Sequence, residues 1–447
     1  MSRFSITSSG TYKATAMDMA RSDARMIIAL GPADFGGIER VRARLSALAA
    51  AGPAARLGLR VTPSSRHWAF RPDLVCDDVA AVDPIERADV PDHLAALAAT
   101  ASTNVPLRAR LAGEYLLLDL SHGFSDAILP IELYVFLADA AVEPRLPGWA
   151  GTRTVRSPLP RALAGWMVHN PRHVLDIAHA KFRSVAFPSR PTTAARRPAA
   201  AADATTGAVR AGAPAWVRSP AVAVGTSQAG APSALRAWRD RHRPGLTVTS
   251  LLCAAVAGAV RSQGVGVANS ATFLFDCRRY LRTREVVLGN FAVGIDFAGI
   301  DPTSPEDLDR VLTHAVDTGR PLAAGALSAL RSTRRSTASP TRAETVMPAE
   351  APPAELIFSD IGRVPAAQNI SWTDEPSRSA SYSLSEPADP KSIVITSMQI
   401  RDTFYVSASF HDNIFDANAV ATALETAMSD PIATLSARAR SRQEMSR

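Results

Sequence analysis

Residues 114–137 read EYLLLDLSHGFSDAILPIELYVFL. Glu114–Leu120 is a short apolar run of strand length, closed by Ser121-His122-Gly123. Ala127–Ala141 continues as an apolar helix with Pro130 in its first turn, where a missing N–H is tolerated. A strand feeding a helix through a histidine-bearing turn is the sign of an α/β fold, and it carries the first hint of chemistry. A histidine on such a turn can face a cleft instead of the core. Its imidazole titrates near neutrality, so it can take a proton from a hydroxyl or an amine. Asp126, four residues on, can orient the local backbone or pair with a distant arginine.

Working outward, Ile38, Val41, Leu45 and Leu48 recur at helical spacing over 36–50. Short strands are expected at 57–62 and 68–71 and a helix at 91–100. The polar first 24 residues read as loose. Residues 161–182 read as a helix broken near Pro171. From Phe187 to Pro232 the composition turns to Ala, Pro, Ser, Thr, Gly and Arg with little periodicity, which reads as a linker or crossover. Order resumes at Leu246. Thr247 or Thr249 caps a helix over 251–260. Strands follow at 271–276 and 290–297, then a helix at 304–318 with Glu306 and Asp307 favouring its dipole. A polar loop is expected at about 331–353, a strand at 355–359, a hairpin over 392–400 and 403–410 turning at Arg401-Asp402, and a helix at 416–428. The organisation expected is a loose 1–24, an N-terminal lobe over 25–185, a basic crossover over 186–245 and a C-terminal lobe over 246–447.

The chain has 447 residues, 47% hydrophobic and 20% charged, which excludes a mostly disordered chain and a disulfide-stapled mini-protein. Its net charge of +7 is unevenly spread. Residues 152–243 hold fifteen Lys+Arg against Asp176, Asp203 and Asp240, a local +12 that leaves −5 for the remainder. Either this stretch is a landing site for phosphate or an acidic partner, or it is solvated linker charge. With aromatics at 6% and no recognisable module among the basic residues, nucleic-acid binding is not expected. Cys76, Cys253 and Cys277 form no CxxC pair and read as reduced thiols. No stretch suits a signal peptide or a membrane span, so a soluble cytoplasmic protein is expected.

Gly264-Val-Gly266 lacks the third glycine of a dinucleotide fingerprint and precedes a strand instead of following one. There is no Walker A sequence, no GxSxG elbow and no HExxH spacing. What stands out is Ser121-His122-Gly123-Phe124-Ser125-Asp126-Ala127, which resembles the HHxxxDG motif of the chloramphenicol-acetyltransferase-like superfamily: condensation domains, polyketide-associated acyltransferases and alcohol acyltransferases. The resemblance continues in order. Asp276–Leu281 (DCRRYL) resembles the family's DxRxxL segment, Leu288–Phe291 (LGNF) its GN step, Ser359–Val364 (SDIGRV) its SNxG strand and turn, and Ser407–Phe415 (SASFHDNIF) its late strand before the last helix. Ser121 replaces the motif's first histidine and Ala127 its final glycine.

The resemblance implies two chloramphenicol-acetyltransferase-like lobes forming a pseudo-dimer with a central tunnel. It implies a stand-alone acyltransferase or condensation enzyme of specialised metabolism. An acyl group would move from a thioester to a small-molecule hydroxyl or amine acceptor, giving an ester or an amide. The donor would be acyl-coenzyme A or a phosphopantetheine-linked chain on an acyl-carrier protein, with no tightly bound cofactor and no metal. His122 would be the general base, Gly123 N–H or Ser125 the oxyanion donor, and Asp126 a structural partner of Arg278. Ser121, Asp276 and Asn290 fall in the motif's supporting positions. Arg196, Arg197 and Ser359 are candidate partner or substrate contacts, and the protein is expected to be a monomer. Two other readings fit the same residues: a repurposed member that cyclises or condenses a carrier-bound intermediate, and a non-catalytic binding homologue.

Overall fold

The computed structural model describes residues 10–100, 105–141, 145–151, 155, 157–172, 216–282, 285–334 and 351–437. The opening stretch is not loose from Gly10 onward. It forms β1 (Gly10–Lys13) and a single turn, α1 (Ala16–Met19), whose Thr15 and Asp18 make a reciprocal capping box. Then come β2 (Arg25–Gly31), α2 (Ile38–Ala50), β3 (Leu59–Arg60), β4 (His67–Phe70), β5 (Val79–Val82), α3 (Val90–Ala99), β6 (Leu107–Ala112), β7 (Tyr115–Ser121), α4 (Ile128–Leu137) and α5 (Pro158–His169). The chain continues through β8 (Pro220–Thr226), α6 (Ala231–His242), α7 (Val248–Ser262), β9 (Val267–Asp276), β10 (Ala292–Ala298), α8 (Pro305–Asp317) and α9 (Arg320–Arg334). It closes with β11 (Ala354–Arg363), β12 (Ala380–Ser385), β13 (Ser392–Ile400), β14 (Thr403–His411) and α10 (Ala417–Ser429).

Two mixed sheets carry two α/β lobes. The first is ordered β12-β2-β7-β6-β5 and the second β10-β9-β11-β13-β14-β8. A three-stranded β1-β4-β3 sheet sits beside the first. The quoted strand β7 lies at the middle of its sheet, antiparallel to β2 and β6, and is buried from Tyr115 to Leu120. Helix α4 presents Leu129, Leu133, Tyr134 and Leu137 to the same core. It ends at Leu137, earlier than the apolar run suggests, because the buried Arg44 guanidinium collects the carbonyls of Phe136 and Leu137 at 2.9 and 2.7 Å and those of Asp139 and Ala141 at 2.9 and 2.6 Å. A cation there suits the negative end of the helix. Likewise α5 stops at His169, since Asn170 precedes Pro171 and is pushed out of helical geometry.

The lobes are not consecutive halves of the chain. Strand β12, from the C-terminal half, adds to the edge of the first sheet, with Ala380 opposite Gly31 and Ser385 opposite Met26. Its outward N–H groups would be left unpaired, but Ser383 and Ser385 donate to the hydroxyls of Ser407 and Ser409 on β14 at 3.0 and 3.1 Å. The seam between the lobes is thus stitched by serine hydroxyls. The region read as a crossover also contributes to the second lobe. Residues 220–226 form its edge strand, paired antiparallel to β14, and Pro220 begins that strand, where a lost donor costs no ladder bond. Helix α6 lies in the same stretch; Arg196 and Arg197 lie outside the described residues. The hairpin turn at Arg401 and Asp402 adopts left-handed φ of 47° and 56°, the geometry of a two-residue hairpin loop. The helix over 320–334 occupies the start of the expected polar loop.

Candidate active site

The histidine turn follows directly from the register of β2 and β7, which places Arg25 opposite Ser121. His122 N–H donates to Ala24 O at 2.8 Å, and Phe124 N–H to Ser121 O at 2.9 Å. Phe124 is fully buried and anchors the turn in the core. At Gly123 a Cβ would lie 3.0 Å from Ser22 Cα, 3.0 Å from Val61 Cγ1 and 3.2 Å from Trp68 Cη2. The turn is therefore pressed between the 19–24 segment and the small sheet, and a side chain at 123 would push its neighbours by a few tenths of an ångström.

A second set of contacts ties this turn to the other lobe. Arg278 grips Asp126 with both arms of its fork, Nη1 to Oδ2 at 2.8 Å and Nη2 to Oδ1 at 3.0 Å. The same guanidinium donates to Asp276 at 3.0 Å, Val287 O at 2.8 Å and Gly289 O at 2.8 Å. Asp126 also accepts the Phe291 N–H at 3.0 Å. Burial disfavours the charge on Arg278, but Asp126 and Asp276 outweigh it and raise its pKa. A fork with this many fixed partners allows little rotation. The Asn290 amide then donates to His122 O at 2.7 Å and Gly123 O at 3.3 Å. Asp126, Arg278, Asp276 and Asn290 thus come together around the histidine turn.

A further latch has no counterpart in the sequence reading. Asp18 and Arg56 form a salt bridge at 3.0 Å in which both side chains are essentially inaccessible, 1% and 2% exposed. Asp18 Oδ1 accepts the Asn290 N–H at 3.2 Å, Arg56 donates to Gly123 O at 3.2 Å and to the Tyr12 hydroxyl, and Arg56 lies over the Tyr12 ring. At Gly289 a Cβ would lie 2.9 Å from both Asp18 Oδ1 and Arg56 Nη1. The Thr15-x-x-Asp18 capping box is a readable signal for the aspartate. Nothing in the sequence marks Arg56 as buried.

His122 is half-buried, and its Nδ1 is buried without a hydrogen-bond partner. Desolvation lowers its pKa, and the charge of Arg21 lowers it further; Asp126 and the backbone of His122 and Ser125 oppose this more weakly. Both effects favour the neutral, proton-accepting form of the ring. Neither expected oxyanion donor is free. Gly123 N–H donates to Ser121 Oγ at 3.2 Å, and the buried Ser125 hydroxyl donates across the lobes to Leu288 O at 2.5 Å. Ser125 is committed because the buried backbone at Leu288 needs a donor in a dry site. Ser359 lies on β11 with a half-exposed side chain and no hydrogen-bond partner among the described residues. Two residues on, across a register break, Ile361 packs on the first lobe's core.

His411 offers a contrast. It is fully buried, its Nδ1 accepts from Ser219 N–H at 3.2 Å and its Nε2 lies 3.0 Å from Pro387 O, so both ring nitrogens are used in structure. All three cysteines are free, and burial pushes Cys277 up to about 12. Among the described residues no cluster of three His, Cys, Asp or Glu is placed to hold a metal, and no helix is long and apolar enough to cross a membrane.

No protein-family model matches the chain, and no curated protein does. Solved structures do. The trichothecene 15-O-acetyltransferase from Fusarium sporotrichioides aligns at 11% identity and a TM-score of 0.54, over 97% of each chain. The condensation domain of the Monacolin K polyketide synthase aligns at 12% identity and a TM-score of 0.55, over 96% of this chain and 98% of that one. The epimerization domain from the third module of tyrocidine synthetase B aligns at 14% identity and a TM-score of 0.53, over 98% and 99%. The chain therefore shares its overall fold with these acetyltransferase, condensation-domain and epimerization-domain structures.

Proposed function

We propose that the chain is an acyltransferase or condensation enzyme in which His122 is the general base. The observation that carries this reading is the half-buried imidazole at the lobe seam, its pKa lowered by burial and its turn fixed by Arg278–Asp126 and Asn290. With Nδ1 buried, Nε2 is the nitrogen that a substrate reaches. The acceptor's hydroxyl or amine gives its proton to Nε2 while its oxygen or nitrogen bonds to the thioester carbonyl carbon. The tetrahedral intermediate collapses with cleavage of the C–S bond, and the imidazolium returns the proton to the leaving thiolate. No acyl-enzyme is needed, in keeping with a sequence that has no GxSxG elbow. Holding both substrates at one site supplies the proximity that two free molecules lack. Ser359 is the candidate substrate contact from the second lobe. With Ser125 and Gly123 N–H otherwise engaged, the oxyanion takes its hydrogen bond from another donor.

The donor is a thioester of coenzyme A or of an acyl-carrier protein, and the basic stretch around Arg196 and Arg197 favours an acidic carrier. The test is thiol release with matched acyl-coenzyme A and acyl-carrier donors. Charge reversal at both arginines should raise the apparent KM for the carrier-linked donor alone. Equal effects on both donors would remove the docking role, and absence of release from either class would remove the enzyme reading.

A further inference from the structure

Three successive peptide units run through the histidine turn, and each of their backbone polar groups has a partner. Ser121 O accepts from Phe124 N–H at 2.9 Å, and His122 N–H donates to Ala24 O at 2.8 Å. His122 O accepts from the Asn290 amide at 2.7 Å, and Gly123 N–H donates to Ser121 Oγ at 3.2 Å. Gly123 O accepts from Arg56 Nη2 at 3.2 Å and from the Asn290 amide at 3.3 Å. Asn290 is held in its turn, because its own N–H donates to Asp18 Oδ1 at 3.2 Å. The Asp18–Arg56 ion pair thus reaches the histidine turn by two routes, through Gly123 O and through Asn290.

Stability alone does not account for this pair. Both side chains are buried, and desolvating two charges cancels most of what their attraction returns. Among the described residues, Arg56 Nε is buried with no hydrogen-bond partner, which is a further cost. Arg56 also holds a left-handed φ of 66°, a conformation that a residue with a Cβ adopts under strain. What the pair supplies is direction. Arg56 Nη2 is shared between Asp18 Oδ1 and Gly123 O, while Nη1 donates to the Tyr12 hydroxyl. Asp18 Oδ2 accepts from Thr15 N–H at 3.0 Å and from Thr15 Oγ1 at 2.9 Å. The segment that carries Asp18 is itself anchored on both sides. Strand β1 pairs with β4 of the small sheet, and Met17 packs on the cluster of Trp166, Phe291 and Leu322.

We propose that Asp18 and Arg56 are positioning residues of the His122 site: they fix the backbone at Gly123 and Asn290 and so set the direction of the imidazole. Both are too buried to touch a substrate themselves. The proposal rests on the reading of His122 as the general base. A base must meet the proton it takes within hydrogen-bond reach, and a misplacement of about 1 Å costs on the order of a hundredfold in rate. An apolar pair of similar volume would fill the same space, but it would release Gly123 O from one of its two donors and leave the Asn290 N–H without its acceptor. The ion pair therefore acts on rate more than on folding.

The experiment compares wild type, Arg56→Met, Arg56→Lys and the double variant Asp18→Leu with Arg56→Met, all in the full chain. Leu424→Ala, in the buried core of the second lobe, is the control for lost stability. Arg56→Met leaves a buried carboxylate unpaired and should lower the melting temperature, and the double variant should largely restore it. The double variant should nonetheless lose roughly tenfold or more in kcat for thiol release, with the acceptor KM within about threefold of wild type. The carbon-bound proton resonances of the His122 imidazole, assigned by NMR with His122→Gln, should move or split in the double variant and match wild type in Leu424→Ala. Arg56→Lys keeps a charge opposite Asp18 but gives up the fork, so it should fold and show a smaller loss of kcat. It carries the test if the double variant does not fold, and wild-type kcat in it then overturns the proposal. A folded double variant with wild-type kcat overturns it as well, and so does an equal loss of kcat in Leu424→Ala. If no form turns over a thioester, the acyl-transfer reading falls and the resonances decide alone. An imidazole signal unchanged in the double variant would then remove the positioning role.

Discussion

His122 combines two properties that oppose each other in most proteins: it is placed to be reached, yet its environment resists protonation. Burial and the charge of Arg21 both favour the neutral ring, so its folded pKa lies below the ordinary histidine value. The rate should therefore stay level as pH falls through 7 and decline only below the ordinary histidine range near 6.5. Because the folded state binds the proton more weakly, the same group contributes stability that is present above the unfolded pKa and lost in acid. A pH profile of kcat/KM checks this, and an acidic limb centred above 7 would contradict it. Asp126 plays a different part. Its carboxylate is consumed by Arg278 and the Phe291 N–H, so Asp126→Ala removes the two-armed partner of a largely buried guanidinium, leaving it Asp276 and two carbonyls, and strips the Phe291 N–H of its acceptor. The expected cost is about 3 kcal/mol in denaturant unfolding. Loss of rate with unchanged stability would assign Asp126 to the chemistry instead. The pairing of Asp126 with Arg278 was legible because the spacing of the two segments follows a known order. The placement of Arg56 was not, because a lone arginine after a Gly-Pro turn carries no sign that it folds inward to meet Asp18.

Among the elements, those with strong local signals appear where the sequence places them. The apolar run before Ser121 is β7, Thr247 caps α7 through the Ser250 N–H at 3.2 Å, and Asp416 caps α10. Strand β12 is not among the expected elements, although ASYSLS alternates serine with Ala, Tyr and Leu at the period of a strand. Its strand character comes from two neighbours that are remote in sequence: β2 pairs one edge and the hydroxyls of β14 meet the other. Strand β8 was hidden in the same way inside an Ala/Pro-rich region, and only pairing with β14 defines it. The serine stitching is testable. Ser407→Ala with Ser409→Ala should cost about 1–3 kcal/mol per donor left unsatisfied. Amide exchange at Ser383 and Ser385 should accelerate more than elsewhere in β12. Protection unchanged at both amides would show that other groups hold the seam.

For the whole molecule, the expectation of two sequential lobes gave way to an exchanged architecture. The C-terminal half lends β12 to the first sheet, and Arg278, Asn290 and Leu288 hold the turn that presents His122. The His122 turn is therefore positioned by both lobes at once, and the lobes' relative placement is part of the candidate site. The fold alone does not select a reaction, since an acetyltransferase and an epimerization domain resemble the chain almost equally. The choice falls to the residues at the seam. The account is tested most directly by single-turnover thiol release from an acyl thioester donor, with and without acceptor, comparing wild type with His122→Ala of equal melting temperature. The prediction is acceptor-dependent release in wild type and a loss of roughly 10²–10⁴-fold in the variant. Full acceptor-dependent release by His122→Ala would contradict it.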